Sequence, residues 1–259
     1  MIGISEPSAC GPPHFPNSRS RTAAKLKRMK TLGVILARSD STRLPGKALM
    51  DLGGGWRMID LVLARAARSK EMAGVALATT SRPCDDELAR HVAEDLGGDV
   101  YRGDLEDVAG RALTCAIERG AEWFVRINGD SPFVDASLLD AGIRLARESG
   151  ADLVSNVLDR TYPYGIAVEV FRTETFQRVH ESFDALEREH IARHFYQHPD
   201  RFRLVPLPPS PNPELAQVTL TLDQPEDLGV IGGIVCALGD RVVSADYETV
   251  AKLARTFRS

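Results

Sequence analysis

A polar loop that carries three cations follows the first apolar segment of the chain. The short segment Leu32–Ala37 leads into Arg38-Ser39-Asp40-Ser41-Thr42-Arg43-Leu44-Pro45-Gly46-Lys47. Ligands of open α/β sheets bind at the carboxyl ends of the strands, so this position suits a binding loop. Backbone N–H groups and small hydroxyls allow a close phosphate approach, while Arg43 and Lys47 would supply charges for a triphosphate. A solvated turn is the ordinary alternative.

Two common nucleotide-binding motifs are absent from the chain. The Walker A pattern G-x-x-x-x-G-K-[S/T] does not occur, and Gly53-Gly54-Gly55 does not match the dinucleotide fingerprint G-x-G-x-x-G. These absences count against a kinase and against a dehydrogenase.

Two aspartates follow predicted strands. Asp130 comes after Trp123–Ile127 and Asp223 after Val218–Leu222, so both carboxylates are expected at the carboxyl edge where the basic loop begins. Mg²⁺ prefers few protein carboxylates together with waters and phosphate oxygens of the substrate, and two acids beside a triphosphate would suit it. The ordinary alternative makes Asp223 a helix cap and Asp130 a turn former.

Three further polar residues near this edge have two interpretations each. Thr79 lies at the end of the predicted strand Gly74–Thr80 and could border a base, although β-branched residues there are ordinary strand formers. Asp107 and Arg111 are four residues apart at the start of a predicted helix. An i,i+4 ion pair on a solvated surface is the common outcome of that spacing, and a nucleotide contact is the alternative.

Apolar strand-like runs alternate with longer segments of helical period from residue 31 onward. This alternation predicts βαβ units in a doubly wound, mostly parallel α/β sheet. The predicted strands are short and apolar, as strands covered on both faces should be: Leu32–Ala37, Gly74–Thr80, Trp123–Ile127, Asp152–Asn156 and Val218–Leu222. Apolar residues at spacings of three and four predict the helices Met58–Ser69, Asp86–Leu96, Val108–Arg119 and Ser137–Glu148.

The pattern changes after about residue 157. Here the chain carries, in order, Tyr162-Pro163-Tyr164-Gly165, an alternating run Ile166–Phe171, a charged segment predicted as one helix over Asp184–Gln197, and a proline-rich loop Pro206–Pro213. We expect a small inserted lobe over about residues 158–215. A last βα unit, Val218–Leu238, would then return the chain to the sheet.

Composition limits the classes of protein that are possible. The 259 residues are 43% hydrophobic and 26% charged, as in a globular chain with one sizeable core, and no apolar run is long enough to span a membrane. A net charge of −4 offers no general nucleic-acid-binding surface, so a phosphate ligand would need a local site. Four dispersed cysteines without a C-x-x-C pair argue against a zinc site or a disulfide scaffold. We expect a soluble cytoplasmic protein.

Residues 1–28 differ in composition from the rest. They are rich in proline and carry five basic residues against one acid, Glu6, without the apolar region of a secretory signal. We expect this extension to be disordered and dispensable, and the folded domain to span residues 29–259. Met29, directly before the first predicted strand, would serve as an alternative start.

Six motifs run in one order between residues 37 and 227, within a region of residues 31 to about 236. They are Ala37-Arg38-x-x-Ser41-Thr42-Arg43-Leu44-Pro45-Gly46-Lys47-x-Leu49, Arg102-Gly103-Asp104-x-Glu106-Asp107-Val108, Arg126-Ile127-Asn128-Gly129-Asp130-Ser131-Pro132, Gly165-x-x-Val168-Glu169-Val170-Phe171, Glu187-Arg188-Glu189-His190 and Thr221-Leu222-Asp223-Gln224-Pro225-Glu226-Asp227. In order and spacing they resemble the sugar-acid cytidylyltransferases. The closest resemblance is to the spore-coat-polysaccharide type, which is related to the CMP-Kdo and CMP-sialic acid synthetases. A single motif could arise by chance, but six motifs in the same order make the resemblance specific to this family.

This resemblance implies a nucleotide-diphospho-sugar-transferase-like fold and a set of site residues. Catalytic roles fall to Arg43, Lys47, Asp130 and Asp223, with the two aspartates as Mg²⁺ ligands. The nucleotide would contact Ala37, Arg38, Ser41, Thr42, Arg43, Lys47, Thr79, Asp107, Arg111 and Asn128. The acceptor would contact Glu169, His190 and Arg193 in the lobe, which is also implied to pair two chains in a homodimer. Ala167 stands where many spore-coat-type relatives carry an acid, so acceptor specificity does not transfer.

The expected reaction is an in-line attack by an acceptor oxygen on the α-phosphorus of CTP, which yields a CMP-linked product and pyrophosphate. Arg43 and Lys47 would stabilise charge on the leaving pyrophosphate. His190 could accept the proton of the attacking hydroxyl, although a surface or packing histidine is as good an interpretation. The expected partners are CTP and a small sugar-like acceptor, without nucleic acid or membrane.

Two other functions stay open on the sequence. A glycosyltransferase of related topology would use a nucleotide sugar and usually carries a D-x-D motif, whereas Asp130-Ser131-Pro132 lacks the second acid. A catalytically silent nucleotide-binding relative would keep the fold. Such a relative need not keep both cations, Arg43 and Lys47, together with both acids, which counts against it.

Overall fold

A computed structural model describes residues 31–41 and 43–258 of the chain. The expectations for residues 1–28 and for Thr42 concern positions outside the described residues. Within the described ranges, no helix combines the length and the apolar character needed to cross a membrane.

The described residues form one seven-stranded sheet with the strand order β3-β2-β1-β4-β6-β5-β7. The strands are β1 Thr31–Leu36, β2 Gly74–Thr80, β3 Asp99–Gly103, β4 Trp123–Asn128, β5 Leu153–Ser155, β6 Glu169–Arg172 and β7 Leu204–Pro206. Neighbouring strands pair in parallel except at β6, which runs antiparallel to β4 and to β5. The predicted fold class, a doubly wound and mostly parallel mixed sheet, is confirmed.

Nine helices connect and cover these strands within the described ranges. They are α1 Met58–Ala66, α2 Asp86–Arg90, α3 Val108–Glu118, α4 Ala136–Ser149, α5 Thr173–His180, α6 Ala185–Glu189, α7 Arg193–Gln197, α8 Pro225–Leu238 and α9 Tyr247–Arg258. A wider helical turn, His91–Asp95, extends α2. The four helices predicted before residue 150 are therefore present, with ends that differ by a few residues.

Alternation of side chains along the strands builds two apolar cores, one on each face of the sheet. Ile35 and Val125 face a core shared with α1, α4, α8 and α9. Val34 and Phe124, one residue away in each strand, face a second core shared with α3, α5 and α7. In that second core the ring of Phe124 stacks on Phe171 at a centroid distance of 5.1 Å. The sheet is thus covered on both faces, which explains its near-continuous apolar strands.

The segment Val218–Leu222 is not a strand of the sheet, which corrects the prediction. Its backbone bonds to loops instead: the Leu220 amide donates to Tyr164 O at 2.8 Å and the Leu222 amide to Asp130 O at 2.9 Å. Only Thr219 forms a bridge, with Tyr164. The place beside β4 is taken by β6, so this extended segment crosses the carboxyl edge rather than joining the sheet.

The single helix predicted over Asp184–Gln197 is also wrong, because the chain forms α6 and α7 with a break between them. The helix α6 ends at Glu189 and is followed by His190, whose φ of −108° and ψ of 81° are not helical. Ile191 and Ala192 then enter the second core and are 2% and 4% exposed. Burial of these two apolar side chains overrides the helical propensity of the charged segment.

The residues predicted to form an inserted lobe also contribute to the central sheet. They supply β6 and β7, and β6 lies between β4 and β5. The edge strand β3 was not among the strands predicted from apolar runs. Its five residues are all half-buried, as at the edge of a sheet, and give a weak apolar signal.

Candidate active site

A cleft of about 660 Å³ opens at the carboxyl ends of β1 and β4. Arg43 of the basic loop, Asn128 at the end of β4, and both Asp130 and Asp223 line one part of it. The opposite part is lined by the turn of residues 162–167, by Glu169 of β6 and by residues 189–193 between α6 and α7. The cleft therefore joins Arg43 and the two predicted metal ligands to the predicted acceptor residues.

Lys47 lies between the two predicted metal ligands. Its Nζ is 2.9 Å from Asp130 Oδ2 and 3.4 Å from Asp223 Oδ1, and it also donates to Leu222 O at 3.1 Å. The three side chains are partly buried, at 16%, 28% and 24% exposure, so solvent weakens the interaction only in part. Two carboxylates thus converge on one cationic atom, although they are 93 residues apart in the sequence.

Backbone contacts explain why the two acids meet. The Leu222 amide donates to Asp130 O at 2.9 Å, so the extended segment delivers Asp223 directly to the loop after β4. The hydroxyl of Thr221 donates to Asp223 Oδ2 at 3.0 Å and orients that carboxylate. Asp223 does not cap α8, because Gln224 and Asp227 form the capping box of that helix. The cap interpretation of Asp223 is therefore excluded.

The ends of β1 and β4 approach each other closely at Gly129. Its amide donates to Leu36 O at 3.0 Å, and a Cβ at this position would lie 2.5 Å from the Cβ of Ala37. No side chain fits that space without displacing one strand end. The glycine of the R-I-N-G-D motif is therefore required by packing, and the packing fixes where Asp130 leaves the sheet.

The basic loop is closed by its own backbone rather than left open. Gly46 adopts a φ of 73°, which favours glycine, and its amide donates to Ser39 O at 2.7 Å. The Ser39 amide donates to Asp85 Oδ1 at 2.6 Å, and Arg38 pairs with Asp40 at 3.6 Å. Arg43 is exposed at the cleft and has no hydrogen bond or ion pair within the described ranges.

Asp107 and Arg111 do not form the i,i+4 ion pair and do not line the cleft. Asp107 caps α3 by accepting from the Gly110 amide at 2.7 Å, and it also binds His180 at 3.0 Å and Arg188. Burial opposes ionisation, but the hydrogen bonds from His180 and Gly110 hold the pKa of Asp107 below its usual value. The predicted i,i+4 ion pair is therefore wrong, and the contacts of Asp107 are those of a residue that caps α3 and links it to neighbouring helices.

Arg111 and Thr79 lie in the interior beside β2. Arg111 is 4% exposed and donates to the carbonyls of Ala78 and Asp104, and burial lowers the pKa of its guanidinium. Thr79 is fully buried, and its hydroxyl has no hydrogen-bond partner in the part of the chain that the structure describes. Neither residue lines the cleft.

A buried polar network forms the floor of the acceptor half. Glu169, 2% exposed, pairs with Arg126 at 2.8 Å and accepts from the hydroxyl of Tyr196 at 2.6 Å. Arg126 also donates to Asn128 Oδ1 at 2.8 Å through Nη2. Burial, together with the adjacent Glu169 carboxylate, raises the pKa of the Tyr196 phenol. The predicted acceptor residue Glu169 is therefore held by two neighbours.

The other predicted acceptor residues and several unpredicted ones border the same half. His190 is exposed and Arg193 is partly buried, and the Arg193 amide donates to His190 O at 2.7 Å. The residues that sequence reasoning did not assign to the site are Arg126, Tyr196 and Arg160, the last with its guanidinium 5.0 Å from the ring of Tyr164. Arg126 belongs to the Arg126–Pro132 motif, so its role in the site could have been predicted from the sequence. Tyr196 and Arg160 lie outside the six motifs, and no sequence pattern marks them as site residues.

The chain belongs to the cytidylyltransferase family, whose model matches residues 32–252. It is similar to the spore coat polysaccharide biosynthesis protein SpsF of Bacillus subtilis, with 31% identity over 231 residues that cover 86% of this chain and 94% of the relative. It is also 33% identical over 125 residues to the 3-deoxy-manno-octulosonate cytidylyltransferase of Geobacter sulfurreducens, which covers 48% of each chain.

A solved structure of a cytidylyltransferase from Leptospira borgpetersenii matches the fold with a TM-score of 0.81 and 25% sequence identity, covering 88% of this chain and 95% of that one. The resemblance drawn from the six motifs is thus confirmed. The protein is an enzyme of the nucleotidyltransferase class.

Proposed function

We propose that this protein transfers CMP from CTP to an acidic sugar or sugar-like acceptor and releases pyrophosphate, in the synthesis of a surface polysaccharide or related glycan. The observation that carries this proposal is the convergence of Asp130 and Asp223 on Lys47 at one end of a cleft whose other end is lined by arginines. The names of two relatives support the proposal. One is named for spore coat polysaccharide biosynthesis and the other is a 3-deoxy-manno-octulosonate cytidylyltransferase.

The chemistry of the donors fits a Mg²⁺ ion held by Asp130 and Asp223. Both carboxylates already contact one ammonium, so their geometry and their two negative charges suit a cation between them. Mg²⁺ bound there would neutralise phosphate charge and polarise the α-phosphate of CTP. The hydroxyl of Thr221 holds one of these carboxylates and would orient it toward the ion.

The cations at the cleft would serve the triphosphate. Arg43 is exposed at the cleft and has no protein partner within the described ranges, so it is available for a phosphate contact. Lys47 is paired with both acids and would bring its charge to the same point, where it balances the carboxylates and attracts the leaving pyrophosphate. Together they stabilise charge that grows on the leaving group.

The acceptor half suits a small anionic ligand. Arg160 and Arg193 line it together with one acid, Glu189, while the carboxylate of Glu169 is paired with Arg126, so the cations of this half outnumber its unpaired acid. A cleft volume of 660 Å³ lies within the roughly 300–1,000 Å³ of small-molecule sites. His190 is exposed beside these arginines and would be able to take the proton of the attacking hydroxyl.

A screen of pyrophosphate release tests the proposal. The full chain is incubated with Mg²⁺, one of CTP, UTP, GTP or ATP, and a panel of Kdo-like acids, nonulosonic acids, other sugar derivatives and phosphonates. We expect pyrophosphate only with CTP and an acidic acceptor, together with a product whose mass equals acceptor plus CMP.

Two results of this screen would contradict the proposal. Release of a nucleoside diphosphate from a nucleotide sugar would identify a glycosyltransferase instead. Saturable binding of CTP in calorimetry without turnover across the whole panel would identify a catalytically silent nucleotide-binding protein.

A further inference from the structure

A cluster of side chains of the types that bind metal ions lies outside the cleft, on and directly after α6 and α7. Glu187 of α6, His194 of α7 and His198 directly after α7 each offer one ligand atom, and these atoms lie within 4.8 Å of one another. None of the three lines the cleft or takes part in the proposed transfer. Their function is therefore open.

Two of these side chains are buried and already aligned. His194 is 4% exposed and Glu187 is 7% exposed. Glu187 Oε1 lies 2.9 Å from His194 Nδ1, and the rings of His194 and His198 have centroids 4.8 Å apart. His194 also packs on Phe183 and Phe202, at centroid distances of 4.8 and 5.6 Å. An ionisable pair thus sits in largely apolar surroundings.

The second ring nitrogen of His194 is the feature that points to a ligand. Since a carboxylate only accepts, Nδ1 carries the proton toward Glu187 and Nε2 is left with a lone pair. That Nε2 is buried and has no hydrogen-bond partner in the described part of the chain. A buried acceptor without a partner is unfavourable. A carboxylate bound to one nitrogen of a histidine whose other nitrogen binds metal is a recurring arrangement.

We propose that His194, through Nε2, and His198 bind a divalent transition-metal ion of the zinc class, while Glu187 holds His194 in place through Nδ1. Imidazole ligands select zinc and its neighbours over Mg²⁺, which prefers oxygen, so the site differs in chemistry from the aspartate pair. Zinc–nitrogen bonds of about 2.0–2.1 Å place two ligands of one ion at most about 4 Å apart. The candidate ligand atoms lie within 4.8 Å of one another, so His198 would have to move by less than about 1 Å to bind the same ion as His194. His198 is partly exposed and follows the last helical turn, so its side chain has room to rotate.

An ion at this site would affect the structure of the cleft wall. The site joins α6 to α7, and residues 189–193 between them line the acceptor half of the cleft. A bound ion would therefore hold the break between the two helices in place and with it His190 and Arg193. This inference rests on the geometry of the cluster and does not depend on the identity of the nucleotide or acceptor.

Calorimetric titration of the metal-free full chain with Zn²⁺, in the absence of nucleotide, tests the site. We expect one ion per chain and a higher thermal unfolding midpoint with Zn²⁺ but not with Mg²⁺. His198→Gln should lower the Zn²⁺ affinity at least about tenfold, in line with loss of one ligand, and should reduce the thermal shift at the same Zn²⁺ concentration. His190→Gln, which removes an exposed histidine from the same segment, should leave Zn²⁺ affinity unchanged.

The partly exposed His198 is the informative position because His194→Gln alters the core and could unfold the protein. Circular dichroism of His198→Gln should match that of the parent. Equal Zn²⁺ affinity of the parent and His198→Gln, or no stoichiometric binding by the folded parent, would overturn the proposal. Since binding is measured without CTP, this result is separate from any failure of the proposed transferase reaction.

Discussion

At the scale of single residues, the ammonium of Lys47 between Asp130 and Asp223 is the main feature of the cleft. A lone lysine would repel a metal ion, but two carboxylates exceed its charge by one. The pair can therefore accept a further cation, and Lys47 then shares the same carboxylates or turns to phosphate oxygens. The contacts explain why a basic loop and two acids, far apart in sequence, occur in one chain.

Replacement of either acid by its amide tests this centre. Asp130→Asn and Asp223→Asn keep shape and most hydrogen bonding but remove one charge, so each should lower turnover by orders of magnitude while the protein stays folded. Turnover is measured as pyrophosphate release with CTP, and folding by circular dichroism. Asp240→Asn is the matched control, since Asp240 is exposed and its side chain makes no hydrogen bond or ion pair within the described ranges. Near-normal turnover and unchanged Mg²⁺ dependence in both variants would refute the assignment.

At the scale of elements, α3 is anchored by the three contacts of Asp107 to Gly110, His180 and Arg188. These contacts join the start of α3 to α5 and α6, on the side of the sheet opposite to α1. One short side chain therefore caps a helix and also links it to its neighbours.

Asp107→Ala should lower the free energy of unfolding by about 1–2 kcal/mol, because it removes a helix cap. Asp107→Asn keeps the cap and should lose less. The folded pKa of Asp107 is below its unfolded value, so its ionic contribution is present at neutral pH and disappears as the pH falls through the folded pKa, below about 3.9. Urea unfolding at pH 7 and pH 3 measures both effects. An equal loss for Asn and Ala at both pH values would contradict this account.

The close approach of the ends of β1 and β4 at Gly129 can be tested by adding a methyl group there. Gly129→Ala should destabilise the fold by about 1–3 kcal/mol and reduce activity, because the new methyl group meets the Cβ of Ala37 and pushes the strand ends apart. Gly74→Ala is the matched control, since a Cβ there meets nothing within 4 Å. Chemical denaturation of both variants measures the difference. Equal stability of the two would show that the strand ends yield freely.

At the scale of the whole molecule, several large apolar side chains of the predicted lobe are exposed. Leu158, Tyr164 and Leu186 are 40%, 45% and 51% exposed. They lie within residues 158–215, the region expected to contact a second chain. Their exposure is consistent with an interface, since aromatic and aliphatic anchors are common at the centres of interfaces.

We expect the protein to be a homodimer through this region. Light scattering at micromolar concentration should give twice the 28.3 kDa mass of one chain. Leu186→Glu should shift the mass toward that of one chain, because it places a charge among apolar contacts. A strictly single-chain mass together with full activity would contradict the expectation.

Several features were determined by the sequence alone because they depend on local patterns. The alternation of apolar strands with helical periods predicted the doubly wound sheet and the four helices between residues 58 and 149. The six motifs identified the family, and the rule that ligands bind at the carboxyl ends of strands brought Arg43 and Asp130 to one edge. These inferences use neighbours in sequence or the general geometry of parallel sheets, so no knowledge of particular contacts was needed.

Other features were decided only by the tertiary structure, because they depend on which distant groups compete for the same space or hydrogen bond. β6, and not Val218–Leu222, pairs with β4 in the sheet. The hydrogen bond from the Leu222 amide to Asp130 O nevertheless places Asp223 at the site. Burial of Ile191 broke one predicted helix into two. The same break brings Glu187 within reach of His194. Cysteine spacing could not reveal such a cluster, because its members are brought together by packing of the fold.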